Sequence, residues 1–139
     1  MNDPRNFNDN MVADLRAHAG VSTQGPMAGR HLMVLTTIGA RSGEPRTSPV
    51  AYTRDGDAYV IIASKGGAPT HPAWYHNLVA HPDVTVEVDG QRFEARATVT
   101  HGAERRRLYD AQAALMPGFA DYETRTERVI PVVRLERVG

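Results

Sequence analysis

The stretch Ala63-Ser-Lys-Gly-Gly-Ala-Pro-Thr-His-Pro-Ala-Trp-Tyr-His-Asn77 gathers the residue types that can do chemistry in this chain. Lys65 supplies a cation beside two consecutive glycines, Gly66 and Gly67, and Trp74, Tyr75 and Asn77 follow close behind. The preceding run Tyr59-Val-Ile-Ile62 reads as a buried strand. The segment after the glycines reads as a short helix, capped by Thr70 or His71, with Pro72 in its first turn and its end near His81, before Pro82. A strand end, a glycine turn and a helix start expose several backbone N–H groups at one point, which suits an anionic or carbonyl-rich ligand. The aromatic pair adds a flat apolar wall and Asn77 a side-chain amide. The competing reading is a loop–helix junction whose Trp74 and Tyr75 plug the core.

Further cations fall in turns. Arg41 and Ser42 sit in the turn Gly39–Pro45, Arg46 just after it, and Lys65 at the end of the third strand. Arginine forks and a serine hydroxyl suit a phosphate, and lysine adds a point charge. Neighbouring antiparallel strands bring Arg46 and Lys65 to one rim in this reading. Each taken singly is an ordinary surface cation; together with the glycine turn and the Trp-Tyr pair they point to a phosphorylated, flat ligand. Other chemistries lack their signatures: there is no Walker phosphate loop, no G-x-G-x-x-G and no G-x-S-x-G. His71, His76 and His81 are spaced by five, roughly 140° apart on a helix, so they cannot share a metal-binding face. Arg105, Arg106 and Arg107 read as a solvated helix face, with a recognition patch as the alternative.

These residues need a frame. A chain of 139 residues, 41% apolar and 23% charged, suffices for one domain with a real core. Its 16 basic and 16 acidic residues cancel, which leaves no global field for nucleic acid. The absence of cysteine excludes disulfides, thiolate zinc sites, iron–sulfur clusters and cysteine nucleophiles. No stretch approaches the ~20 apolar residues of a membrane span, so a cytoplasmic protein is expected. A helix over about Asp9–Ala19 places Phe7, Met11, Val12, Leu15 and Ala19 near one face, to pack across its own domain or to touch a membrane surface. Strands are expected at His31–Ile38, Arg46–Thr53 (an edge or bulge, given Pro49), Ala58–Ala63, Asp83–Val88, Gln91–His101 and Val129–Val138. Short turns at 39–45, 54–57 and 89–90 make antiparallel hairpins of the strands they join. A further helix spans Ala103–Leu115, with Leu108, Ala111 and Leu115 on one face, and Met116–Tyr122 reads as a loop. About six antiparallel strands with two or three helices suggest a mainly β, α+β molecule built on a small barrel or strongly curled sheet.

The blocks Leu35-Thr-Thr-Ile-Gly-Ala-Arg-Ser-Gly-Glu-Pro-Arg46, Ser64-Lys-Gly-Gly-Ala-Pro69 with His71-Pro-Ala-Trp-Tyr-His-Asn77, and Tyr122-Glu-Thr-Arg-Thr126 leading to Arg128-Val-Ile-Pro-Val132 closely resemble the deazaflavin-dependent nitroreductase and quinone reductase family of actinobacteria. The resemblance covers about residues 27–138. It implies a split β-barrel like that of FMN-binding proteins over residues 27–139, preceded by an N-terminal helix and loop over 1–26. It also implies hydride transfer from reduced coenzyme F420 to quinones, nitroaromatic compounds or similar small electron acceptors, menaquinone among them. By resemblance, Arg41, Ser42, Arg46 and Lys65 hold the phosphate and acidic tail of the cofactor, and Ser64 and Pro72 are also cofactor-binding. Gly67, Ala68 and Pro69 give close backbone approach to the deazaflavin, and Trp74, Tyr75 and Asn77 flank or orient its rings. Met116, Phe119 and Tyr122 shape the acceptor pocket, where only Tyr122 keeps a hydroxyl to donate, as a catalytic residue. Quinone reduction therefore fits better than reduction of nitro drugs. The alternatives are an FMN-dependent split barrel, and a module that binds F420 or a lipid-like ligand without turnover. A peripheral contact with the inner face of the cell membrane, and a monomer or homodimer, complete the expectations.

Overall fold

Short glycine turns between apolar runs predict hairpins, and the structure, a computed structural model describing residues 4–138, forms each of the three. Strands β1 (Met33–Ile38) and β2 (Pro45–Val50) pair antiparallel across the first turn. Strands β3 (Thr53–Asp55) and β4 (Ala58–Ile62) form the second hairpin. Strands β5 (Asp83–Val88) and β6 (Gln91–Val99) form the third, with Asp89 and Gly90 at φ 48° and 78°. Two successive left-handed residues match the right-handed twist of the flanking strands, which is why Asp-Gly serves here. With β7 (Val132–Arg137) the sheet reads β2-β1-β5-β6-β7-β4-β3, antiparallel throughout.

The sheet has seven strands rather than six. The run expected as one strand over Arg46–Thr53 breaks at Ala51 and Tyr52: β2 ends on β1, and Thr53–Asp55 joins β4 at the opposite edge. Pro49 stands on an edge strand, where its missing N–H costs no ladder bond.

Four helices cover the curled sheet: α1 (Pro4–Ala17), α2 (Ala73–Ala80), α3 (Gly102–Leu115) and α4 (Gly118–Thr124). Inside the curl, alternate residues of the strands meet: Met33 and Leu35, Ile61, Val84 and Val86, Phe93 and Ala95, Val133 and Leu135. Trp74 and Leu78 of α2 plug this interior. On the outer face, Val12 and Leu15 of α1 pack on Leu32 and Val34, each such side chain contributing about 1.5–3 kcal/mol by burial. Helix α1 thus packs across its own sheet; of its expected face, the Phe7 side chain lies outside the described residues, and Ala19 lies beyond the helix end.

Two expectations for the C-terminal third are corrected. The buried face of α3 is Leu108, Tyr109 and Gln112, whereas Ala111 is exposed and Leu115 is 72% exposed. Two polar side chains take that face with one bond apiece: the Tyr109 hydroxyl donates to the Phe119 carbonyl, and the Gln112 amide oxygen accepts from the Thr53 hydroxyl. Met116–Tyr122 is not a loop throughout. Pro117 sits at the N-cap of α4, where a missing N–H is harmless, and Arg105 and Arg106 both bind Glu123 and hold the helix to α3. The arginine triplet is therefore occupied within the fold. Arg105 also donates to the Ile130 carbonyl, and Arg107 pairs with Asp55. With Arg134 on its other side, the Asp55 carboxyl is held down to about pKa 2.

Candidate functional site

The segment after β4 turns through three left-handed residues, Lys65 (φ 48°), Gly66 (φ 64°) and Gly67 (φ 82°), following Ser64 in the right-handed region. For Lys65 this conformation costs roughly 1–2 kcal/mol, because its Cβ crowds the next carbonyl. Such a right-to-left step points successive N–H groups into one concavity. The Gly67 amide donates to the Ser64 carbonyl at 2.9 Å and the Ala68 amide to that of Lys65 at 3.1 Å. The amides of Lys65 and Gly66 meet no acceptor among the described residues. Their neighbour, the exposed Lys65 ammonium, lies 3.4 Å from the Thr70 hydroxyl. Backbone amides without an acceptor among the described residues, next to a lysine, are donor chemistry that suits an anion.

Arg128 holds that turn in place. Its Nε donates to the Ala68 carbonyl (2.8 Å), its Nη2 to that of Ser64 (2.7 Å), and its Nη1 to that of Ala63 (3.1 Å) and to Nδ1 of His71 (2.8 Å). Arginine has no acceptor, so Nδ1 of His71 must carry the lone pair and Nε2 the proton. Burial, then the charge of Arg128 and the neighbouring His76, push the His71 pKa below its ordinary value. The rings of Tyr75 and His76 stand 4.8 Å and 5.7 Å from that imidazole. Neither Thr70 nor His71 caps α2, because both side chains are spent on this loop; Pro72 occupies the N-cap without a side-chain bond. The organising role of Arg128 was not visible in the sequence. A single arginine ahead of an apolar strand carries no local period, and its presence in a family-like block was the one signal.

Helix α4 closes the loop from the other side. A Cβ on Gly67 would lie 2.9 Å from the Cβ of Arg125 and 3.0 Å from the Tyr122 carbonyl oxygen, so the missing side chain makes room for α4. Tyr122 is half-buried with Phe119 edge-on at 5.1 Å, and its hydroxyl bonds to no described residue. Of the three expected acceptor-pocket residues, Phe119 and Tyr122 come together here. Met116 does not: it lines a separate groove of about 280 Å³ with Met27, Leu32, Tyr52 and Leu115.

The cations of the β1–β2 turn reach this end of the sheet by a different route from the one expected. β2 and β4 are not neighbours but stand first and sixth in the sheet order. The antiparallel registers put the start of β2 and the finish of β4 at the same end of the sheet. Arg41 and Ser42 are exposed; Arg46 pairs with Glu44 at 3.6 Å, an exposed contact contributing about 0–1 kcal/mol. Helix α2 spans the mouth between the two segments: Asn77 donates to the Thr37 hydroxyl (3.1 Å) and accepts from the Ala40 amide (2.9 Å). Its amide is thus committed to the fold. Pro72 is buried, Trp74 is 8% exposed within the core, Tyr75 is half-buried against it, and Pro69 is exposed.

A cleft of about 790 Å³ opens at the opposite mouth, over Tyr59 and Phe93. Three arginines (54, 134, 137) and four carboxylates (55, 57, 89, 136) line it, so it offers no clear charge preference to a ligand.

A curled antiparallel sheet plugged by a short helix defines a split β-barrel. A family model for F420H(2)-dependent quinone reductases matches residues 9–137. An F420H(2)-dependent quinone reductase of Mycobacterium tuberculosis is 44% identical over 108 residues, 76% of this chain and 72% of the relative. The solved structure of an F420-H2 dependent reductase (FDR-A) superposes with a TM-score of 0.70 at 36% identity, covering 76% of this chain and 93% of that one. A further solved chain, described as a domain-swapped dimer, gives a TM-score of 0.73 at 30% identity over 96% of this chain and 100% of its own. The chain belongs to the F420H(2)-dependent quinone reductase family and is an F420-using oxidoreductase. Among the described residues no helix is long and apolar enough to cross a membrane.

Proposed function

We propose that this chain transfers a hydride from reduced F420 to a quinone or similar electrophile, and that the Lys65–Gly67 turn holds the cofactor's anionic portion. The observation that carries the reading is the pair of amides at Lys65 and Gly66 that meet no acceptor among the described residues, with the Lys65 side chain beside them and Arg128 holding the turn. Arg41, Ser42 and Arg46 extend the anion site from the β1–β2 turn. Ser64, Ala68, Pro69 and Pro72 shape the backbone beside it. Trp74, Tyr75 and Asn77 act through the plug helix, setting the wall behind the loop.

Reduced F420, when bound, supplies the hydride. The chain's work is to orient the reactants, exclude water and provide a proton donor. Tyr122 donates from its hydroxyl to the acceptor oxygen that gains charge, and Phe119 keeps water from that side. A quinone takes up the hydride and one proton to become a quinol, so a neutral donor suffices. A lipid-soluble quinone such as menaquinone is the acceptor class proposed for the side of the half-buried Phe119 and Tyr122. Any membrane contact needs a surface other than the Val12–Leu15 face of α1, which the sheet already covers.

Fluorescence titration with F420 beside FMN tests the reading, followed by F420H2 oxidation with the water-soluble quinone menadione. Saturable F420 binding, weakened about 10–100-fold by Lys65→Ala for loss of a charged hydrogen bond, is the expected result. Arg46→Ala should weaken it less. Binding of FMN alone, or no quinone-dependent oxidation, would overturn it.

A further inference from the structure

We infer that Arg128 is a positioning residue for cofactor binding, acting through the backbone of the Lys65–Ala68 turn rather than by touching the cofactor. The inference rests on the F420 reading of that turn. Arg128 bridges both flanks of the turn, Ala63 and Ser64 before it, Ala68 and His71 after it, and so fixes the separation of its two ends. Between those ends lies the left-handed Lys65, whose conformation is unfavourable without such support. Four of the five guanidinium N–H groups point at neutral acceptors in a fixed planar fork, which a lysine ammonium cannot reproduce. No carboxylate among the described residues pairs with Arg128, so these four bonds to neutral acceptors are its ties to the fold. The groups facing the His71 end are Arg128, Tyr75 and His76.

Arg128→Lys and Arg128→Met separate shape from charge. A positioning role predicts that both raise the F420 dissociation constant at least tenfold, with kcat at saturating F420 within about threefold of the parent. If Lys keeps the parent affinity and Met alone loses it, charge is sufficient and the inference falls. Amide hydrogen exchange without any F420 reads the loop itself: Gly67 and Ala68 should exchange at least tenfold faster in Arg128→Lys. In NMR titration the His71 imidazole should move back towards an ordinary histidine in Arg128→Met. Faster exchange with no F420 binding by the parent would sink the F420 reading and leave only Arg128's support of the turn standing. Parent binding with unchanged exchange and affinity in a folded Arg128→Lys would do the reverse. Should the Arg128 variants fail to fold, His71→Phe removes one acceptor of four and is expected to raise the dissociation constant about threefold and to speed exchange; no change in either refutes the inference.

Discussion

The Asn77 side chain donates to the Thr37 hydroxyl across 3.1 Å, and this bond couples the plug helix α2 to strand β1, which leads into the Arg41–Arg46 turn. Thr37 is buried at 1% exposure, so its hydroxyl cannot turn to water when the amide is removed. Asn77→Ala is expected to cost about 1–3 kcal/mol of stability in urea denaturation. Asn77→Asp keeps an acceptor for Ala40 and lets the Thr37 hydroxyl rotate to donate, so its cost should be about 1 kcal/mol or less. Equal losses in the two variants would show that the bond carries little.

Gly66 and Gly67 are both left-handed, yet only one is enclosed. A Cβ on Gly66 meets nothing within 4 Å, whereas one on Gly67 meets the backbone of α4 at Tyr122. Gly66→Ala should cost about 1–2 kcal/mol, the conformational penalty alone. Gly67→Ala adds a steric conflict with a carbonyl that cannot swing away, and should be the more destabilising by at least about 1 kcal/mol. Thermal denaturation of the pair decides the point.

His71 gives the fold a pH dependence of fixed sign. Its native pKa lies below the ordinary histidine value near 6.5, so between the two the unfolded chain binds more protons than the native one. Stability from this group therefore rises with pH in that window and is lost as pH falls through it. Urea midpoints compared from about pH 5 to about pH 7.5 should show a steeper rise for the parent than for His71→Gln.

Gln112 is fully buried, with its oxygen paired to Thr53 and its Nε2 meeting no partner among the described residues. Thr53→Val leaves the amide wholly unpaired and should cost about 1–3 kcal/mol. Adding Gln112→Met to Thr53→Val removes both partners and should recover most of that loss. A double variant no better than the single would contradict this account.

Local chemistry made the hairpins legible: Asp89-Gly90 and the Gly56 turn announce themselves because few residues adopt their φ values. The Lys65–Gly67 turn was legible for the same reason. What escaped was settled by contacts distant in sequence. Helix α4 carries Pro117 and Gly118, which read as breakers, and stands because Arg105 and Arg106 grip Glu123. The face of α3 was phased on its aliphatics, yet Tyr109 and Gln112 bury once Phe119 and Thr53 supply partners. Arg128 belongs to this group as well, since its four acceptors lie 57–65 residues away. The seventh strand was missed because a two-residue break at Ala51-Tyr52 looks like continuous β-structure.

That break also decides how the sheet is closed. The two outermost strands, β2 and β3, are consecutive in the chain, with Ala51 and Tyr52 between them and no ladder joining them. The cylinder therefore has a seam stitched by covalent backbone, and widening it severs no strand-to-strand hydrogen bond. Resistance comes from side chains such as Tyr52, set edge-on to Tyr59 at 5.6 Å. The girth of the barrel is a packing property, open to adjustment by substitution at Tyr52 without any change of register.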